Sequence, residues 1–376
     1  MIETDITVGS ELKVTCSRDE LAQRLATVSR AVSTRTAVQV LLGVLLRAEG
    51  GRLELAATDM EISLRGGLDA DVAAEGAVVV PARLLVELSR LLPSAEVVIE
   101  HRANEGILQI DCGSASYRLH TYSSEDFPRL PELTTLETFS VAREALLDTV
   151  AQVVRSASRD ESRPVLTGIL VRFEPGRLAM AATDSYRLSV KETELEGDSP
   201  ELEAIVPARA LTELGRIAAG SDTVELGVHE NQVVFVAGGV TLTSRRIDGQ
   251  FPNYRQLLPE TFEYEVPLPR KELLDVVRRT AVMAQRNSPL RLRFAEGELT
   301  ISAQTQDVGE SRESLPAGFT GEPLEIGFNA DFLRDGIESI ASDEVRLKLI
   351  SPLRPAVLQG DSEAYRYLIM PIRLAG

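Results

Sequence analysis

One stretch occurs twice in this chain. "GRLELAATDMEISL" at residues 51–64 returns as "GRLAMAATDSYRLSV" at residues 176–190, with Asp59 and Asp184 125 positions apart. Nothing else restricts the fold as much, because a period this long belongs to a duplicated domain and not to a solenoid. Other landmarks keep the same order and nearly the same period. "VVVPARLLVELSRLLP" at 78–93 returns as "AIVPARALTELGRIA" at 204–218, with Pro81 and Pro207 126 apart. "YRLHTYSSEDFPRLPEL" at 117–133 returns as "LTSRRIDGQFPNYRQLLPE" at 242–260, with Pro128 and Pro252 124 apart. A third copy is weaker: "GELTISAQTQD" from Gly297, "IGFNADFLRDGIESI" from Ile326 and "AYRYLIMPIRL" from Ala364. The spacing predicts three domains of similar size, 1–134, 135–261 and 262–376, joined at the Pro- and Thr-containing stretches "PELTTLETFS" and "LPETFEYEVP".

Within each copy the hydrophobic period switches between that of a helix and that of a strand. "SRDELAQRLATVSRAV" offers Ser17 as an N-cap with Glu20 three residues on, and sets Leu21, Leu25, Val28 and Val32 on one face. "AREALLDTVAQVVRSA" repeats the pattern with Leu146, Leu147, Val150, Val153 and Val154, and "PRKELLDVVRRTA" with Leu273, Leu274 and Val277. Six helices are expected, over 18–35, 81–93, 142–159, 207–219, 269–286 and 329–342. Segments such as "VLLGVLLRAE", "ILVRFE" and "RLRFAE", ending at Gly-containing turns, read as strands. The fold class is therefore α+β, each repeat packing two helices on an antiparallel sheet.

Charge bears on the partner. The 376-residue chain has a net charge of −17, which by itself argues against nucleic acid. Yet the six expected helices hold 17 Lys and Arg against 11 Asp and Glu, and five of the six lean basic. A helical side of this kind would attract a polyanion weakly without locking onto it. No membrane span or signal segment is read, which predicts a cytoplasmic protein. Cys16 and Cys112 form no CxxC, and His101, His120 and His229 lack metal-ligand spacing, so no metal or other cofactor is expected. Walker, GxSxG and HExxH motifs are also missing. Asp59 and Asp184 could form an acid-base pair. Because each holds the same place in its own repeat, a duplicated turn whose carboxylate caps backbone N–H groups is the better account.

The threefold repeat, "ATDSYRL", "DGQFPNYRQLLP", "IGFNADFL" and the C-terminal "MPIRL" together resemble the bacterial DNA polymerase III beta-subunit family of sliding clamps, over essentially the whole chain. The resemblance implies a non-catalytic processivity factor: a head-to-tail homodimer whose six domains form a ring around duplex DNA, helices inside and sheets outside. It implies DNA contacts from Arg35, from Arg159 and Arg163 of "SRDESR", and from Arg286. Dimer contacts would join Tyr117 and Leu119 to Ala281 and Val282 of the other chain. It also implies a groove for short hydrophobic peptides of the replicative polymerase alpha subunit, clamp-loader subunits, other polymerases and repair proteins. From the second repeat the groove would take Leu166, Thr183, Ser185, Tyr186, Arg187 and Leu188, with Pro252 and Leu257 from its close. The third repeat would add Asn329, Phe332, Leu353 and Pro355, and the tail would add Leu368, Ile369, Met370, Pro371, Ile372, Arg373 and Leu374. Departures from the family pattern are Pro164-Val165 where some members carry an aromatic pair, Ser185-Tyr186 where some have Gly-His, and Gln256 where some have Arg. Ala375 and Gly376 extend past the family's usual end.

Overall fold

A computed structural model describes residues 11–130, 138–197, 200–229, 231–284, 288–306 and 308–374. The chain divides into two compact units, one of Met1–Arg143 with Glu213–Arg246, the other of Glu144–Thr212 with Ile247–Gly376. The units do not match the repeats, since the second repeat is divided between them, about a third to the first and two thirds to the second.

In the first unit the strands run in the order Ala115–His120, Ile107–Cys112, Glu96–Arg102, Lys13–Ser17, Ile62–Ala74, Val240–Arg245, Gln232–Ala237, Thr223–His229 and Thr138–Ala142. Gly43–Glu49, Arg52–Thr58 and Gly76–Pro81 join this sheet off the main path. The two repeats meet within it, strand Ile62–Ala74 of the first pairing antiparallel with Val240–Arg245 of the second, Thr243 opposite Ser63.

The second unit repeats that junction. Its eight-stranded sheet contains Leu202–Pro207, Gly168–Glu174, Arg177–Thr183, Arg187–Glu194, Tyr365–Ile369, Ala356–Gln359, Glu344–Leu349 and Tyr264–Pro269, in that order. Arg187–Glu194 of the second repeat pairs with Tyr365–Ile369 of the third, Leu368 opposite Leu188. Even the bond that ends each pairing recurs: Arg245 N–H donates to Glu61 O at 2.9 Å, and Met370 N–H to Tyr186 O at 2.9 Å. A four-stranded sheet orders Gly309–Pro316, Glu298–Thr305, Leu290–Ala295 and Leu324–Phe328. Alternation along the strands builds two cores here. Tyr365, Tyr367, Ile369 and Leu358 join the helices of the third repeat, while Leu188, Val190, Leu368 and Val357 pack with Tyr254.

All six expected helices form but stop short of their expected ends, at Arg18–Val28, Ala82–Ser89, Arg143–Val153, Ala208–Ile217, Arg270–Ala281 and Ala330–Glu338. Ser17 caps the first, accepting from Glu20 N–H. The first and third give way to single 3₁₀ turns, Ser29–Ala31 and Val154–Ser156. The shortening corrects the charge argument. Within the observed helices 11 basic residues face 11 acidic ones. The whole excess sits past the helix ends, on Arg30, Arg35, Arg90, Arg155, Arg159 and Arg286, of which Arg286 lies outside the described residues.

Candidate functional site

The duplicated tetrapeptide is a turn, built the same way twice. Asp59 Oδ1 accepts from Glu61 and Ile62 N–H at 3.0 and 2.9 Å, and Asp184 Oδ1 from Tyr186 and Arg187 N–H at 2.9 and 3.0 Å. Thr58 and Thr183 each donate to the carbonyl four residues on, Ile62 and Arg187, at 2.9 and 2.7 Å. The third turn residue takes positive φ in both copies, 77° at Met60 and 80° at Ser185. Few side chains tolerate that region. The turn's own bonds hold them there.

The residue that closes the turn differs between the copies. Ile62 is core in the first, whereas Arg187 in the second is a buried cation. Its Nε donates to Asp184 Oδ2 at 3.0 Å and its Nη1 to Asp335 Oδ2 at 2.6 Å, and its guanidinium lies 4.3 Å from the centre of the Phe332 ring. Burial disfavours the charge, but the Tyr367 phenol, Asp335 and Asp184 outweigh that and hold the Arg187 pKa above its ordinary value. Tyr186 stacks on the same Phe332, ring centres 6.4 Å apart. Asn329 caps the helix Ala330–Glu338, accepting from Phe332 N–H at 3.0 Å, so it fixes where that ring stands.

Exposed apolar side chains occur on the segments around this cluster. Among the described residues of this unit, the exposed large hydrophobic side chains are Tyr186, Leu257, Val282, Val308, Leu353 and Met370. Four of these belong to the expected groove. The backbone brings them together: Met370 is bonded to Tyr186, Ala356, just after Leu353 and Pro355, pairs with Ile369, and Leu257 ends the turn whose Tyr254 packs on Leu188 and Leu368. Pro252 is exposed just before that turn. Leu166, Thr183, Leu188, Leu368 and Ile369 of the expected groove are buried. The tail turns away after Met370, with Pro371, Ile372 and Leu374 half-buried and Arg373 exposed. Ile372 N–H donates to Gly327 O at 2.7 Å, and a Cβ on Gly327 would come within 2.6 Å of Leu374. Only glycine lets the tail lie this close.

Sequence reasoning named Arg187 and Phe332 but missed Asp335, which holds the Arg187 guanidinium and joins it to a charge network. Arg155 pairs with Glu338 and, at 3.5 Å, with Asp335, while Arg278 reaches Glu338 at 2.7 Å. Burial pushes the Glu338 pKa up, but the hydrogen bonds from Arg278 and Arg155 outweigh it and the net shift is downward. The first unit holds the counterpart, Arg30 to Glu213 at 2.8 Å, with Arg216 on the other oxygen. A signal was present. Glu213 lies six residues after Pro207 and Asp335 six after Asn329, while Arg30 and Arg155 lie 125 apart.

Of the expected DNA-contacting residues, Arg35 and Arg159 are exposed in loops, and Arg286 lies outside the described residues. Arg163 is exposed but engaged, donating to Asp160 Oδ2 and Ser185 Oγ at 3.0 Å each. Tyr117 and Leu119 are half-buried on Ala115–His120, the outermost strand of its sheet. Ala281 ends the helix Arg270–Ala281, and Val282 beyond it is 72% exposed.

Family models for the N-terminal, central and C-terminal domains of the DNA polymerase III beta subunit match residues 12–131, 140–253 and 255–373. The chain is 35% identical to the beta sliding clamp of Streptomyces coelicolor, over 97% of this chain and all of that one. It is 37% identical to the beta sliding clamp of Synechococcus elongatus, over 96% of this chain and all of the relative. The solved sliding clamp of Bacillus subtilis superposes with a TM-score of 0.92 at 27% identity, covering 97% of this chain and 100% of that one. That of Pseudomonas aeruginosa bound to griselimycin superposes with 0.89 at 30% identity, covering 96% and 100%.

Proposed function

The chain belongs to the DNA polymerase III beta-subunit family and is a non-catalytic DNA sliding clamp that confers processivity; from that premise we propose how it closes, slides and holds its partners. Three domains, 1–134, 135–261 and 262–376, supply half of a ring, and a second copy supplies the rest. Each in-chain junction joins a strand of one repeat to a strand of the next. A third junction, between the last repeat of one chain and the first of its partner, closes the ring after two copies. Uncovered apolar side chains support it. Leu84 and Leu91 are 52% and 77% exposed, whereas Ala210 and Ile217, at the same helix positions one repeat on, are 0% and 6% exposed. Val282 is exposed where Arg30 and Arg155 make their ion pairs. Tyr117 and Leu119 meet Ala281 and Val282 at this seam.

Duplex DNA passes through the ring without sequence preference, in the cytoplasm. Tight phosphate binding would hold the clamp in place, since each contact must break for the protein to slide. Encirclement replaces affinity with topology. A few basic groups past the helix ends, Arg35, Arg159, Arg163 and Arg286, are enough to line the passage. Separate loader subunits must open the ring, because the chain has no ATPase motif.

Short hydrophobic peptides of the polymerase alpha subunit, the loader and repair proteins dock in the groove around Arg187. The observation that carries this reading is the exposure of Tyr186, Leu257, Leu353 and Met370 around one rigid charged cluster. A flexible thioether suits several peptides in turn. Fluorescence anisotropy of a labelled Gln-Leu-x-Leu-Phe peptide tests it: binding should saturate and weaken by at least about 1 kcal/mol in Met370→Ala, with the oligomeric state unchanged. Equal affinity in both proteins would remove Met370 from the site.

A further inference from the structure

The two in-chain junctions obey one register. In the first, Thr243 stands opposite Ser63, and Ser63 is the hairpin partner of Thr58. In the second, Leu368 stands opposite Leu188, the hairpin partner of Thr183. Thr58 and Thr183 lie six residues into strands that open with the pairs Glu49–Arg52 and Glu174–Arg177. The third repeat opens the same hairpin with Ala295–Glu298, six residues on stands Gln304, and its partner is Glu310. On the other side of the junction, Thr243 is the fourth residue of a strand whose hairpin closes at Ala237–Val240. The first repeat closes its hairpin at Cys112–Ala115, and the fourth residue of that strand is Arg118.

Resting on the head-to-tail dimer above, we infer that the two chains register through a cross-strand charge pair, Arg118 of one protomer opposite the partner's Glu310, made twice in the ring. Both strands are outermost in their sheets, with backbone groups free for a further strand. Arg118 and Glu310 are exposed in the single chain, while the residues at the place of Arg118 in the in-chain junctions, Thr243 and Leu368, are 6% and 3% exposed. The faces agree as well. The register puts Tyr117 opposite the partner's Ser311; within the chain, the Ser311 hydroxyl donates to Thr280 O at 3.2 Å. Tyr117 therefore lies on the side of Ala281 and Val282, and Arg118 on the outer side with Glu310. Two residues along, Ser116 faces the partner's Arg312, and Asp111, the in-chain neighbour of Ser116, offers that arginine an anion. Opposite charges directly across a ladder attract, and like charges there repel. The pair thus selects register and partner together.

Sedimentation velocity on the full chain and on two single variants, Arg118→Glu and Glu310→Arg, tests this. Each variant alone sets like charges face to face at both seams, and its dimer dissociation constant should rise about tenfold or more. Mixing the two variants sets Glu opposite Arg at one seam and Arg opposite Glu at the other. The mixture should form heterodimers with a constant within about threefold of the unaltered chain. Recovery on mixing also excludes misfolding as the cause of the loss. Variants that dimerise unchanged, or that stay monomeric when mixed, would overturn the register. An unaltered chain that sediments as a monomer would instead overturn the dimer itself.

Discussion

Arg187 is the residue on which the proposed groove turns. It is 9% exposed, and a buried cation is tolerable only while its partners remain. Asp335 supplies one of them and also meets Arg155, so it ties the Arg187 cluster to the residues past the helix end. Asp335→Asn should lower stability by about 2 kcal/mol. It should also weaken peptide binding, because the guanidinium that supports Phe332 loses its anchor, and anisotropy and thermal unfolding read the two effects separately. The sequence made Asp184 legible as a turn residue because its oxygen serves the N–H groups two and three residues on, a local matter. Asp335 was legible only through the repeat, in its six-residue spacing from Asn329, since the bond from Arg187 spans 148 residues.

Elements were more legible than their ends. Helix starts carry local chemistry, Ser17 and Asn329 each accepting from the N–H three residues on. Helix ends here carry little. Val32 continues the apolar period of the first helix, yet the backbone has already tightened into a 3₁₀ turn at Ser29–Ala31. The expected basic helices were an outcome of that overrun. Two of the arginines past the ends, Arg30 and Arg155, form ion pairs between repeats, and pH should expose their contribution. The Glu338 pKa is lowered from the ordinary 4.5, so its stabilising contribution is complete above that value and disappears as pH falls through the folded value. Glu338→Gln should therefore destabilise the protein near neutral pH. Thermal unfolding curves of the variant and the unaltered chain should converge as pH falls below 4.5, and a constant difference would count against the network.

At the scale of the whole molecule, the repeat period tells how many parts there are, but not that the compact units cut the second part in two. Strand pairing across repeats causes this, and pairing partners leave no mark at the boundary between repeats. For the proposed ring the same pairing must occur between chains, and Tyr117→Glu, which places a charge beside Ala281 and Val282, should give monomers at micromolar concentration by sedimentation. A persistent dimer would rule out that seam. The repeated junction has a mechanical consequence too. A fastening used three times per half-circuit, with the peptide backbone behind it twice and nothing behind it the third time, is a latch. In the proposed ring, strain would fall first on the two clasps without a covalent backing, one per chain, and DNA would enter there.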